Sequence, residues 1–274
     1  MATIDAYVFW LLKEKGLAAR FQFVNDLQVV KPQYEKTDLS YWVQFFPESE
    51  PLTLMSSLMN KVNKVELNPP WDAVSLFEHV QKGKGLACSG MAEIFASILA
   101  AKKFTVRRVG LLRTLGDRYS AHAIIEILVN GRWVIFDPTF NVTFERDGHL
   151  VGAQDIHRAL LDGNFNEIKP IFHGEVAYPA RLDKYYMHYL SLYNNVLILE
   201  PAKKFWHKLP PFRYWMGTKY YVQIEKELGQ RNEHMHFFNN LNFFFVALLP
   251  IVLISLFFIA TMFLIYSYKR DNSI

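Results

Sequence analysis

Three residues of this chain have the types and spacing that do chemistry together: Cys88, His122 and Asp137. Two of them lie in HAIIEILVNGRWVIFDPTF, His122 to Phe140. Asn130-Gly131 between apolar runs predicts a two-residue type I′ hairpin, because both central residues need positive φ. Counting outward, Val129 faces Arg132, Leu128 faces Trp133 and Ile124 faces Asp137. His122 then shares a sheet face with Ile124 and is a diagonal neighbour of Asp137, roughly 7–8 Å away at the backbone. An imidazole and a carboxylate can bridge that gap, which makes them the base and orienter of a nucleophilic triad. Taken alone, the hairpin is better read as a polar strand end and an Asp-Pro strand terminator.

A nucleophile has to come from elsewhere. In GKGLACSGMAEIFASILAAKKF the single cysteine, Cys88, follows Gly83 and Gly85 and opens a helical run. Met91, Ile94, Phe95, Ile98 and Leu99 recur at helical spacing, and Lys102 and Lys103 close the run where positive charge suits the helix dipole. Cys88 therefore falls in the first turn, where unsatisfied N–H groups and the positive dipole end stabilise a thiolate. The glycines let a substrate backbone approach closely. A free cysteine is otherwise a common packing residue.

The order Cys88, His122, Asp137 and the residues around each resemble the transglutaminase-like branch of the papain-like cysteine enzymes. That family carries its cysteine at a helix start, its histidine in an HAW-x-E strand and its aspartate in W-x-x-x-DPT. Here His122, Ala123 and Glu126 match the second motif, and Trp133, Asp137, Pro138 and Thr139 match the third. Ile124 stands where the family has tryptophan. The resemblance runs from Trp71 to Phe140. It implies an α+β fold in which a helix bearing Cys88 packs on an antiparallel sheet bearing His122 and Asp137. It also implies the chemistry. The Cys88 thiolate attacks an amide or ester carbonyl, His122 protonates the leaving group, and Asp137 fixes the imidazole and stabilises its charged form. The thioester then meets water, giving hydrolysis, or an amine, giving acyl transfer. Besides the Cys88 backbone N–H, the oxyanion has two candidate side-chain donors, Gln81 and Trp71.

Composition bounds the alternatives. At 274 residues and 51% apolar content the chain can bury a full core. One cysteine excludes an intrachain disulfide framework and a Cys-based zinc cluster. The nine histidines show no ligand spacing on a helix face, and Gly83-Lys84-Gly85 lacks the rest of a P-loop. No cofactor and no metal are expected. Asn141-Val142-Thr143 is a glycosylation sequon by pattern only.

The far end predicts a membrane setting. Phe243 to Ile265 is 23 residues without a charge. As a helix it is about 35 Å long, enough for a bilayer core of about 30 Å with some tilt. Tyr266 and Tyr268 would sit at the interface, with Lys269 and Arg270 beyond. From Glu200 onward there are nine Lys and Arg against five Asp and Glu, so the whole net charge of +4 lies in this part. The segment KKFWHKLPPFRYWMGTKYY mixes basic and aromatic residues as at a lipid headgroup surface. Its place before a span favours membrane over nucleic acid. The first residues, with an acid before a short apolar run, carry no basic leader. A tail-anchored arrangement with the large domain in the cytoplasm is the simplest expectation, although Lys269 and Arg270 argue the other way.

The expected organisation is an N-terminal helical part, 1–70; a catalytic core with its extension, 71–199; a basic, aromatic juxtamembrane segment, 200–242; a transmembrane helix, 243–266; and a short tail, 267–274. Helices are expected at Ile4–Glu14, Leu54–Val65 and Trp71–Gln81, at Asp155–Gly163 and in the aromatic run from Leu182 to Asn195, with a strand at Thr105–Arg113. Two functions fit: a membrane-anchored cysteine enzyme acting on a protein, peptide or cell-surface amide, and a non-catalytic subunit of a membrane complex that retains the fold. Membrane lipids are expected partners through residues 243–266, and other membrane proteins are admitted; nucleic acid is not.

Overall fold

The computed structural model describes residues 20–30, 43–62, 73–115, 121–174, 189–200, 204–209, 212–223 and 229–271. The chain divides into two compact units. The larger comprises residues 22–200 and 220–232. It is a mixed α+β assembly. Strands β1 (Arg20–Val24), β2 (Val106–Leu112), β3 (Ala121–Val129), β4 (Arg132–Phe136), β8 (Asn195–Glu200) and β9 (Lys219–Gln223) form a six-stranded sheet in the order β1-β9-β8-β2-β3-β4. A second sheet, β6-β5-β7, is built from β5 (Val142–Arg146), β6 (His149–Leu150) and β7 (Lys169–Phe172).

Alternation along the strands makes two cores. Ile125, Ile127, Val134 and Phe136 pack with helices α1 (Pro51–Lys61), α2 (Ala73–Gln81) and α3 (Cys88–Ala101). Ile124 and Ile135, one residue out of step, pack with β5, β8 and helix α4 (Ala153–Leu161). Helix α3 is apolar on nearly every side and lies deep in the first core.

The hairpin follows the predicted register, with Val129 opposite Arg132 and Leu128 opposite Trp133. Asn130 and Gly131 have φ of 49° and 80°, as a type I′ turn requires. A buried ion pair then ties the sheet together. Arg107 on β2 sits opposite Glu126 on β3, and its Nε donates to Glu126 Oε2 at 2.6 Å. The guanidinium also donates to the Leu27 carbonyl at 3.1 Å and lies 4.1 Å over the Trp133 ring. The other carboxylate oxygen accepts the Ala153 N–H at 2.7 Å, which caps α4. A Cβ at Gly152 would lie 2.6 Å from the Trp133 carbonyl oxygen, so glycine alone lets α4 approach this closely.

Several expected elements change. The segment 1–70 contributes a strand, β1, as well as helix α1, and Ile4–Glu14 lies outside the described residues. Helix α4 starts at Ala153 rather than Asp155; Asp155 is its third residue and reaches back to accept the Gly152 N–H at 2.9 Å. The aromatic run described from Tyr189 onward turns into a strand at Asn195. Within the segment 200–242, residues Lys219–Gln223 form β9, an inner strand of the main sheet. Its sequence KYYVQ is aromatic and β-branched, which suits a pleated surface better than a headgroup layer. Asn141 and Thr143 are buried, so the sequon is no acceptor.

The smaller unit contains residues 201–219 and 233–274. A 3₁₀ turn, Phe205–Lys208, packs with helix α5 (Phe212–Met216); Trp206 meets Phe212 edge-on at 5.7 Å, and Tyr214 meets Phe243 at 4.9 Å. Helix α6 (Gly229–Phe243) continues through one π turn, Phe244–Leu248, into α7 (Leu249–Asp271). Pro250 has no N–H to give the ladder, and the widened turn lies beside it. Met235–Arg270 is long and apolar enough to cross a membrane, and its apolar side chains are mostly exposed. It extends beyond 243–266 at both ends.

Candidate active site

Cys88 is the first residue of α3. Ala87 precedes it in extended conformation and supplies no side-chain cap, so the first-turn N–H groups are left to the thiol and to whatever binds beside it. The side chain is partly exposed. His122, near the start of β3, is 8% exposed and lies close enough to the thiol for each group to shift the other's titration. Its Nε2–H donates to Asp137 Oδ2 at 2.8 Å. That leaves Nδ1 as the ring nitrogen available to the thiol.

Asp137 lies one residue past β4, where Pro138 ends the ladder. The strand turns there instead of continuing opposite Ile124. Asp137 exchanges backbone hydrogen bonds with Val142, and Asn141, at φ 50°, closes the loop between them. This loop aims two N–H groups at the carboxylate: Thr139 and Phe140 donate to Oδ1 at 2.9 and 3.3 Å. Asp137 is 0% exposed, so its lone pairs depend on protein donors. A fourth donor comes from far along the chain. The Tyr189 hydroxyl donates to Oδ2 at 2.5 Å, on the same oxygen as His122. Four donors fill the capacity of an acceptor-only carboxylate.

The electrostatics follow from this arrangement. Burial lowers the proton affinity of His122, but the Asp137 charge and hydrogen bond, with the Cys88 bond, outweigh it and push the imidazole up to about 10. Burial pushes the Cys88 thiol up; the His122 bond and charge and the Ala123 backbone bond prevail, and the net shift is down. Both shifts favour a thiolate beside an imidazolium. Burial first, then the Asp137 charge, raises the Tyr189 phenol well above its usual value, so Tyr189 stays a donor.

The structure thus brings Cys88, His122 and Asp137 together. It does not add Gln81, which is exposed at the end of α2, and Trp71 lies outside the described residues. Glu126, matched above to the histidine strand, is taken up by Arg107 and the start of α4. Tyr189 was missed. The sequence around it is rich in tyrosine, with Tyr185, Tyr186, Tyr189 and Tyr193, and nothing local marks which of them meets a carboxylate 52 residues away. Among the described residues no group of three metal-ligating side chains occurs.

No protein-family model and no curated protein sequence matches the chain. A crystal structure of a "putative cysteine protease" from Cytophaga hutchinsonii is similar over 52% of this chain and 43% of that one, at 20% identity and a TM-score of 0.29. The match spans less than half of that protein, and so slight a likeness carries no argument about fold or function.

Proposed function

We propose that this chain is a membrane-anchored cysteine enzyme of transglutaminase-like type, acting on an amide or related acyl bond. The observation that supports it is one line of side chains: a cysteine at a helix start, a buried histidine that interacts with it, and a fully buried aspartate that the histidine meets at 2.8 Å. In this reading the Cys88 thiolate attacks the carbonyl carbon. The developing oxyanion is met by first-turn N–H groups of α3, beginning with that of Cys88. Collapse expels the amine or alcohol, which takes the proton from His122 Nδ1. Neutral His122 then draws a proton from water or an incoming amine, which attacks the thioester and releases the thiolate. Asp137 keeps the imidazole turned to sulfur throughout. The helix Met235–Arg270 holds the enzyme in the bilayer.

One experiment tests both halves. Membranes carrying the full chain are washed with alkaline carbonate, and the pellet is treated with iodoacetamide over a range of pH. Cys88 should remain in the pellet, and its alkylation should be half-maximal well below the pH of an ordinary thiol, near 8.5. Release of the chain into the wash would remove the anchor; an ordinary thiol profile would remove the enzyme.

A further inference from the structure

We infer that Tyr189 is a positioning residue whose hydroxyl damps the Asp137 charge and so sets the pH window of the Cys88–His122 pair. The inference rests on the proposed function and deepens it. Tyr189 Oη and His122 Nε2 share one carboxylate oxygen, Oδ2, at 2.5 and 2.8 Å. The other oxygen is fixed by two backbone donors. Removing those donors would change the loop, whereas the phenol arrives on a separate segment and can be altered alone.

The ring is held for this purpose on all sides. Tyr189 is 3% exposed and stacks on Phe144 at 5.9 Å. It meets His122 edge-on at 5.4 Å and Phe140 at 5.7 Å. The titratable groups that face it are Asp137, His122 and Tyr193, whose ring centre is 5.9 Å away; Cys88 acts on His122 from the other side. In so dry a setting a charge-assisted O–H···O⁻ bond draws charge off the oxygen it touches. Without it, Oδ2 presents its fuller charge to both partners. A fuller negative charge holds the imidazolium proton more firmly and makes ionisation of Cys88 harder. Both limbs of the pair's titration therefore move upward together.

The test uses the full chain in detergent. Iodoacetamide alkylation of Cys88 is followed against pH in the parent and in Tyr189→Phe, which keeps the ring and deletes the hydroxyl. The acid limb should move up by about half a unit to one unit. A second variant carries a ring-fluorinated tyrosine at position 189. Its phenol is the stronger donor, so its limb should move down. Opposite shifts in the two variants establish the damping role. A depressed parental profile that Tyr189→Phe leaves unchanged, whatever its melting temperature, overturns this inference and leaves the proposed function standing. If Tyr189→Phe does not fold, an unmoved limb in the fluorinated variant has the same force. An ordinary thiol profile in the parent overturns the proposed function, and this inference with it.

Discussion

Cys88→Ala should abolish the burst of p-nitrophenolate that the parent chain releases from p-nitrophenyl acetate, and slow steady-state turnover by at least about a thousandfold. The burst reports acyl transfer to a nucleophile, so it needs no knowledge of the natural substrate. Alanine cannot form the thioester. It is also the best helix former, and it replaces a partly exposed side chain at a helix start. The fold should hardly notice, with a melting temperature within about 3 °C of the parent. Circular dichroism at 222 nm and stopped-flow absorbance measure the two effects separately. A full burst in Cys88→Ala would remove Cys88 from the mechanism.

Glu126→Gln should have the reverse signature. It touches none of the three residues that line up for chemistry, yet it strips the counter-charge from a guanidinium that is 2% exposed. Two buried charges are costly to assemble, and the pair itself contributes little net stability. Breaking it is the expensive event, because one charge is then left uncompensated, at a cost of about 3–5 kcal/mol. For a folded unit of this size that corresponds to a melting temperature lower by about 6–20 °C. Glutamine can still accept the Ala153 N–H, so the start of α4 is retained and the loss isolates the charge. In Arg107→Met with Glu126→Met the lone charge is gone, and much of the melting temperature should return. A shift under about 2 °C in Glu126→Gln would mean that water or another group already satisfies Arg107.

The contrast between these variants reflects how differently the sequence reveals the two kinds of residue. Asn130-Gly131 fixes a turn through its own backbone, and register then follows by counting, so the meeting of His122 and Asp137 was legible before any fold was known. The ladder in fact stops at Ile125–Phe136, and Asp137 turns toward Val142. The pair forms because the side chains still converge past the last rung. Cys88 was legible for a similar reason: glycines, a cysteine and helical periodicity lie within a single short run.

What stayed hidden depends on distance along the chain. Tyr189 reaches Asp137 through tertiary packing, and no local pattern distinguishes it from its neighbouring tyrosines. β9 was hidden in another way. Its residues lie in a basic, aromatic stretch just before an apolar helix, and composition spoke for the membrane, although the aromatic and β-branched residues of Lys219–Gln223 also suit a strand. The strand won over that part, since it gains a place inside a six-stranded sheet, and a pleated partner on each side outweighs a preference for headgroups. Phe205, Leu209, Phe212 and Trp215, in the same stretch, remain exposed.

In the proposed mechanism His122 is held as an imidazolium by Asp137 on one side and the Cys88 thiolate on the other. Nitrogen-15 NMR of the histidine-labelled chain in micelles measures this directly, with the His122 signals identified by their loss in His122→Gln. Both ring nitrogens of His122 should stay protonated through neutral pH, with the midpoint pushed up to about 10. A midpoint near 6.5, the value of a free histidine, would show that no such pair exists and would contradict the account.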